Sequence, residues 1–149
     1  KLKKIFAKGF YMSLITEEMK ATIGVYSNPE SAIIEQGAIT RFFAAIGDTN
    51  SPYSQIAPPT FLRSVGRAIP DIPGSNKVPR VIDGGSEWTY GTPIHAGDII
   101  TYTSKIESLT EREGRMGPML IIVYITEYSN QENQFVASQR NTLIRMPAV

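Results

Sequence analysis

Within the six residues DTNSPY, Asp48, Asn50 and Tyr53 supply a carboxylate, an amide and a phenol. A carboxylate there can take a proton from a bound water, and the amide and phenol can orient that water or a substrate oxygen. A little further on, Pro58 and Pro59 fit the start of a helix, where the first backbone N–H groups have no partner inside the helix. Such groups can hold a polarised carbonyl oxygen. Pro59 has no N–H, so the donors must be those of Thr60 or Phe61. The same residues also have plain structural uses. Asp48 and Asn50 can bond the backbone of a turn, and Tyr53 can pack at the mouth of a pocket.

Two helices are expected to position this loop. Ile39, Phe42, Phe43 and Ile46 recur at helical spacing, so a short amphipathic helix buries them on one side and Gly47 caps its end. Asp48, Asn50, Ser51 and Pro52 are turn formers that lead the chain away from it. Phe61, Leu62 and Val65 continue the second helix from the two prolines to Gly66.

The run FAAIGDTNSPY resembles the hydratase motif of the MaoC-like dehydratases, in which a glycine and an aspartate are followed by an asparagine and then a histidine. Gly47, Asp48 and Asn50 match, and Tyr53 stands at the position of the histidine. Together with APPTFLRSVG, DGGSEWTYGTPIHAGD and EREGRMGPMLIIVYITEYSNQ, the pattern is similar to the FAS1-like branch, the MaoC dehydratase N-terminal domain, over roughly Ile15 to Met146. The resemblance implies a hot-dog fold and chemistry on (3R)-hydroxyacyl or trans-2-enoyl thioesters of coenzyme A or acyl carrier protein. It assigns Asp48 to catalysis and Asn50, Tyr53, Thr60 and Phe61 to substrate binding, with no cofactor and no metal. A phenol with an ordinary pKa of about 10 is a poor base at neutral pH. The expected role is therefore the acyl-binding half of a pair, beside a second hot-dog subunit that supplies aspartate and histidine.

Composition bounds the alternatives. The chain has 149 residues, 42% hydrophobic and 19% charged, which suits one domain with a sizeable core. A net charge of +1 gives no general attraction to nucleic acid or an anionic membrane. Without cysteine there is no disulfide, thiol nucleophile or thiolate-bound metal, which fits a cytoplasmic protein. Residues 1–14 are expected to be an N-terminal extension and 15–149 a single domain. The basic start KLKKIFAKGFY lacks the unbroken apolar stretch of a signal peptide, since Lys8 and Gly9 interrupt it.

Along the chain, Thr16 is expected to cap a brief helix through Glu17 and Glu18, stopped by Gly24. Ser31 to Gln36 reads as a short strand. The prolines of RAIPDIPGSNKVPR argue against regular structure, and this connection is either a surface crossover or a lid over an acyl tunnel. Val81–Tyr90, Ile99–Ile106, Met119–Tyr128 and Phe135–Ile144 read as strands, with a hairpin at Glu113-Gly114 and Gly117-Pro118 and a turn at Asn130–Asn133. Helices followed by long antiparallel strands make an α+β order in which the sheet wraps around the central helix. The open edge of such a sheet calls for a homodimer or a second hot-dog subunit.

His95, the single histidine, sits in TPIHAGD, which reads as a turn before a strand, where a structural role is favoured over a pairing with Asp48, and Asp98 is expected to cap that turn. Arg63, Arg67, Lys77 and Arg80 suit either solvent or the phosphates of an acyl carrier. Two further readings stay open. One is a noncatalytic acyl-thioester-binding protein, and the other is a hot-dog thioesterase with Asp48 as base or nucleophile.

Overall fold

The computed structural model describes residues 13–48, 55–68, 70–115 and 117–148. Asn50 and Tyr53 lie outside the described residues. The architecture is the expected α+β hot-dog: a five-stranded antiparallel sheet curled over short helical segments. Helix α1 spans Glu17–Ala21, and Thr16 Oγ1 accepts from the Met19 N–H at 3.2 Å, as its capping residue should. The helix ends at Ala21, before Gly24.

Strand β1 covers Glu30–Ile33 and helix α2 Gln36–Ile46. The helix therefore starts where a strand residue was expected, because Glu35 is the last extended residue. Gly47 adopts φ 74°, and the Gly47 and Asp48 N–H groups return to the carbonyls of Ala44 and Phe43. This paired closure satisfies two carbonyls that the helix end would otherwise leave open.

Pro59–Phe61 form a 3₁₀ turn that runs directly into α3, Leu62–Val65, and Gly66 at φ 125° ends it. This short element is what the sheet wraps. Phe61 and Leu62 are 4% and 1% exposed, whereas α2 fully buries only Ile39 and leaves Ile46 on the surface. The α2 helix stands alongside, its Phe42 ring edge-on to Phe61 with centroids 5.5 Å apart.

Strands β2 (Arg80–Tyr90), β3 (Ile99–Gly114), β4 (Gly117–Ser129) and β5 (Phe135–Met146) complete the sheet in the order β1-β3-β4-β5-β2. Strand β3 runs past Ile106 to Gly114 because a bulge between Ile106 and Ser108 changes the phase of its alternation. Beyond the bulge, Leu109 faces the same side as Ile106. The Asn130–Asn133 turn forms as expected: Asn130 Oδ1 accepts from Glu132 and Gln134, and Asn133 takes φ 59°.

The core falls into two clusters along the inner face of the sheet. One gathers Ile39, Phe61, Leu62, Ile100, Tyr128 and Val136. The other gathers Met19, Ile72, Val78, Ile106, Ile122 and Tyr124. The proline-rich connection supplies Ile72 and Val78 to the second cluster, and Arg145 Nη1 donates to its Ser75 carbonyl at 2.9 Å. Apart from a 3₁₀ turn at Ser75–Lys77 and Arg80, which opens β2, its described residues form no helix or strand.

Candidate active site

Asp48 emerges one residue beyond the cap of α2, with its side chain on the surface and its N–H fixed by the Phe43 carbonyl at 3.0 Å. From Gln55 onward the chain meets the His95 segment: Ala57 N–H donates to Ile94 O and Ala96 N–H to Gln55 O. An isolated bridge joins Ile56 to His95. The segment that carries the single histidine is thus zipped to the exit of the motif loop. That adjacency was not expected from sequence.

The histidine itself serves the turn. Asp98 Oδ2 accepts the His95 N–H at 2.7 Å, and Asp98 Oδ1 accepts from Gln131 Nε2 at 3.0 Å, so Asp98 caps the turn as expected. His95 Nδ1 stands 3.9 Å from the same carboxylate, and its side chain is half exposed.

At the other end of the candidate site, Phe61 N–H donates to the Pro58 carbonyl at 2.8 Å, which closes the 3₁₀ turn. That donor is spent, and the Phe61 side chain is buried in the core. Thr60, exposed at the second position of the turn, has no acceptor for its N–H among the described residues. A cleft of about 240 Å³ opens beside this turn, lined by Ile56, Ala57, Pro59, Leu62, Tyr90 and Val136. Its walls are almost wholly apolar, which suits an alkyl chain better than a charged headgroup.

Sequence reading missed a set of polar groups on the inner face between the two core clusters. Ser104 and Thr126 bond each other at 2.6 Å and are fully buried. Next to them, Gln139 Nε2 donates to Ser86 Oγ at 2.9 Å. Asn141 Nδ2 lies 2.6 Å from Ser86 Oγ, 3.1 Å from Gly85 O and 3.3 Å from Asp83 Oδ1. These bonds pin the bulge between Asp83 and Ser86 in β2. Among the described residues the buried Asn141 Oδ1 atom has no hydrogen-bond partner, and the buried Tyr124 hydroxyl has none beyond the neighbouring Arg67 guanidinium. The signal was present in the sequence as Gln139 and Asn141, two amides at inward positions of a strand.

Charge gathers at the same place. Arg63 lies 3.6 Å from Asp83, and both side chains are about half exposed. The Gly85 N–H, then Asn141 and the two guanidiniums of Arg63 and Arg67 hold the Asp83 carboxyl below its ordinary value against a smaller effect of burial. Burial pushes the Tyr124 phenol up, with Arg67 and Arg63 pulling the other way. Tyr128, whose hydroxyl donates to the Gly66 carbonyl at 3.2 Å, is pushed up to about 12 by burial. Arg63 and Arg67 belong to the basic group seen in the sequence, and the fold brings them to this polar floor. Among the described residues no cluster of three histidines or carboxylates could hold a metal ion, and no helix is long and apolar enough to cross a membrane.

The family described as the FAS1-like dehydratase domain region matches residues 21–139. The chain belongs to that family. This FAS1-like dehydratase domain is 34% identical, over an alignment of 107 residues, to a UPF0336 protein of Streptomyces coelicolor, covering 59% of this chain and 71% of the relative. It covers 62% of a similar protein from Streptomyces avermitilis, at 32% identity and 51% of this chain. In fold it is similar to a chain of the ChsH1-ChsH2 complex from Mycobacterium tuberculosis, with TM-score 0.71, 17% identity and coverage of 88% and 89% of the two chains. A HadBC (3R-hydroxyacyl-ACP dehydratase) complex from the same organism contains a second such chain, with TM-score 0.60, 19% identity and coverage of 83% and 96%. These likenesses support the hot-dog fold.

Proposed function

We propose that this FAS1-like dehydratase domain is the acyl-binding half of a hydratase or dehydratase acting on (3R)-hydroxyacyl or trans-2-enoyl thioesters of coenzyme A or acyl carrier protein. The observation that carries the reading is the apolar cleft beside the Pro59–Phe61 turn, whose Thr60 N–H has no acceptor among the described residues. A thioester carbonyl accepting from Thr60 would send its acyl chain along Leu62. Negative charge developing on that oxygen in the enolate would be stabilised by the same donor. Phe61 takes part as a packed wall. Asp48, carried on the closed end of α2, is the acid–base group of this chain, and Asn50 and Tyr53 complete the substrate-binding loop.

Hydration also needs a second group to move the proton, and Tyr53 replaces the histidine of the motif. The partner that supplies it is a second hot-dog subunit. Strand β2 supports this reading: it forms one edge of the sheet, eleven residues long, with Val81, Ile82 and Tyr90 exposed. An edge of that length and character offers unpaired backbone groups to another strand. The relatives in solved structures include heteromeric complexes, ChsH1-ChsH2 and HadBC. Titration of the purified chain with crotonyl-coenzyme A tests the binding half of the proposal. Saturable binding weakened by Pro59→Glu, which places a carboxylate in the cleft, is expected. Absence of any binding would remove it. Binding with no turnover in any pairing would instead favour a noncatalytic thioester-binding protein.

A further inference from the structure

The apolar cleft beside the Pro59–Phe61 turn has stiff walls. Pro59 and Pro93 bring pyrrolidine rings with fixed backbone angles, and Gly91 brings backbone alone. A Cβ on Gly91 would come within 2.5 Å of the Phe135 carbonyl oxygen, so this part of the wall stays backbone. Tyr90 is the one aromatic side chain among the described lining residues, and 44% of it is exposed. Its ring is held from behind. Trp88, two residues earlier on the same face of β2, stacks on it with centroids 5.8 Å apart and planes 4° from parallel. Trp88 stacks in turn on Tyr128 at 5.9 Å, and Tyr128 meets Tyr102 at 5.9 Å. The inner end of this row is anchored, because the Tyr128 hydroxyl donates to Gly66 O at 3.2 Å and the Tyr102 hydroxyl to Glu30 Oε2 at 3.1 Å. Trp88 does not line the cleft, so the cleft meets the part of the Tyr90 ring that Trp88 leaves uncovered.

An alkyl chain gains only buried area from such a wall, and it gives up its rotational freedom between rigid neighbours. A flat ring has no such freedom to lose, and it gains a stacked contact with Tyr90 beyond the area it buries. Size agrees with this choice. A dry apolar cavity of about 150 Å³ takes one benzene, so a cleft of about 240 Å³ has room for one ring and a short unsaturated linker. We propose that the acyl group received in this cleft ends in a planar aromatic ring stacked on Tyr90. This deepens the acyl-thioester reading and rests on it. The substrate class is then an aryl-substituted trans-2-enoyl thioester or its (3R)-hydroxyacyl counterpart, and Tyr90 is the residue that sets the preference.

Three coenzyme A thioesters of equal acyl carbon count separate stacking from size: cinnamoyl, 3-cyclohexylacryloyl and trans-2-nonenoyl. They share the headgroup and the enoyl carbonyl and differ in the shape of the far end. Binding to the full chain is measured calorimetrically. Cinnamoyl-coenzyme A should bind about three- to tenfold tighter than either of the others, as one stacked aromatic pair allows. Tyr90→Leu should erase the difference between the cinnamoyl and cyclohexylacryloyl probes, and Tyr90→Phe, which keeps the ring, should retain it. Equal affinity for those two probes, or trans-2-nonenoyl tightest, overturns the inference and leaves thioester binding standing. A cinnamoyl preference that survives Tyr90→Leu overturns it as well, because the ring would then be held elsewhere. No binding of any probe overturns both readings.

Discussion

Tyr124 and Tyr128 sit four residues apart on β4, face the same side, and have opposite fates. Tyr128 has found an acceptor in Gly66 O, and Tyr124 has found none. Tyr124→Phe removes a hydroxyl with no acceptor among the described residues, so it should change stability by less than about 1 kcal/mol in urea unfolding. A loss of several kcal/mol would reveal an acceptor for the hydroxyl. Tyr128 makes a statement about pH. Its folded pKa of about 12 lies above the ordinary 10.0, so the folded state holds its proton more tightly. Stability is full below pH 10 and falls as pH rises from about 10 to about 12. Tyr128→Phe should flatten part of that alkaline loss, measured by unfolding at fixed pH values. Asp83 works in the other direction. Its lowered pKa gives stability that is present above 3.8 and lost as pH falls below it. At this scale the place of Asp48 just past α2 was legible because it follows a helix-ending glycine. Tyr124 was not, since one tyrosine in an apolar strand looks like its neighbours until the fold reveals what lies across from it.

Among the elements, the 3₁₀ and α turn from Pro59 to Val65 carries more of the core than the longer α2. Sequence periodicity pointed to α2 as the centre because Ile39, Phe42, Phe43 and Ile46 repeat over eleven helical residues. Seven residues opened by prolines give a weak periodic signal, yet they place Phe61 and Leu62 at the heart of the sheet. The four long strands were legible from their alternation or apolar runs, and the far half of β3 was not, because its bulge breaks the alternation. Phe61→Ala should therefore cost about 3–5 kcal/mol, the range for emptying a buried aromatic site, whereas Ile46→Ala on the exposed end of α2 should stay within about 0.5 kcal/mol for the isolated chain. Gly91 marks a close approach between β2 and β5. A Cβ there would come within 2.5 Å of the Phe135 carbonyl oxygen and 2.6 Å of its ring. Gly91→Ala should lower stability by about 1–3 kcal/mol, as overpacking against backbone does.

For the whole molecule, the long β2 edge and the motif with tyrosine in place of histidine make the same demand. The first lacks a strand and the second lacks a proton-transfer group, and a second hot-dog subunit seated at that edge would supply both. The substitution was visible in the sequence, and the bare edge became visible once β2 was placed outside β5. Charge at the edge should therefore disrupt assembly before it disturbs folding: Ile82→Lys should reduce association in sedimentation experiments with little change in the unfolding of the isolated chain. The most direct measurement is hydration of crotonyl-coenzyme A by the chain alone and after mixing with a MaoC-like subunit that carries the aspartate and histidine. Negligible turnover alone and a large rise on mixing is the expected result. Full turnover by the chain alone, abolished by Asp48→Ala, would contradict the need for a partner, and no gain with any such subunit would contradict the role of acyl-binding half.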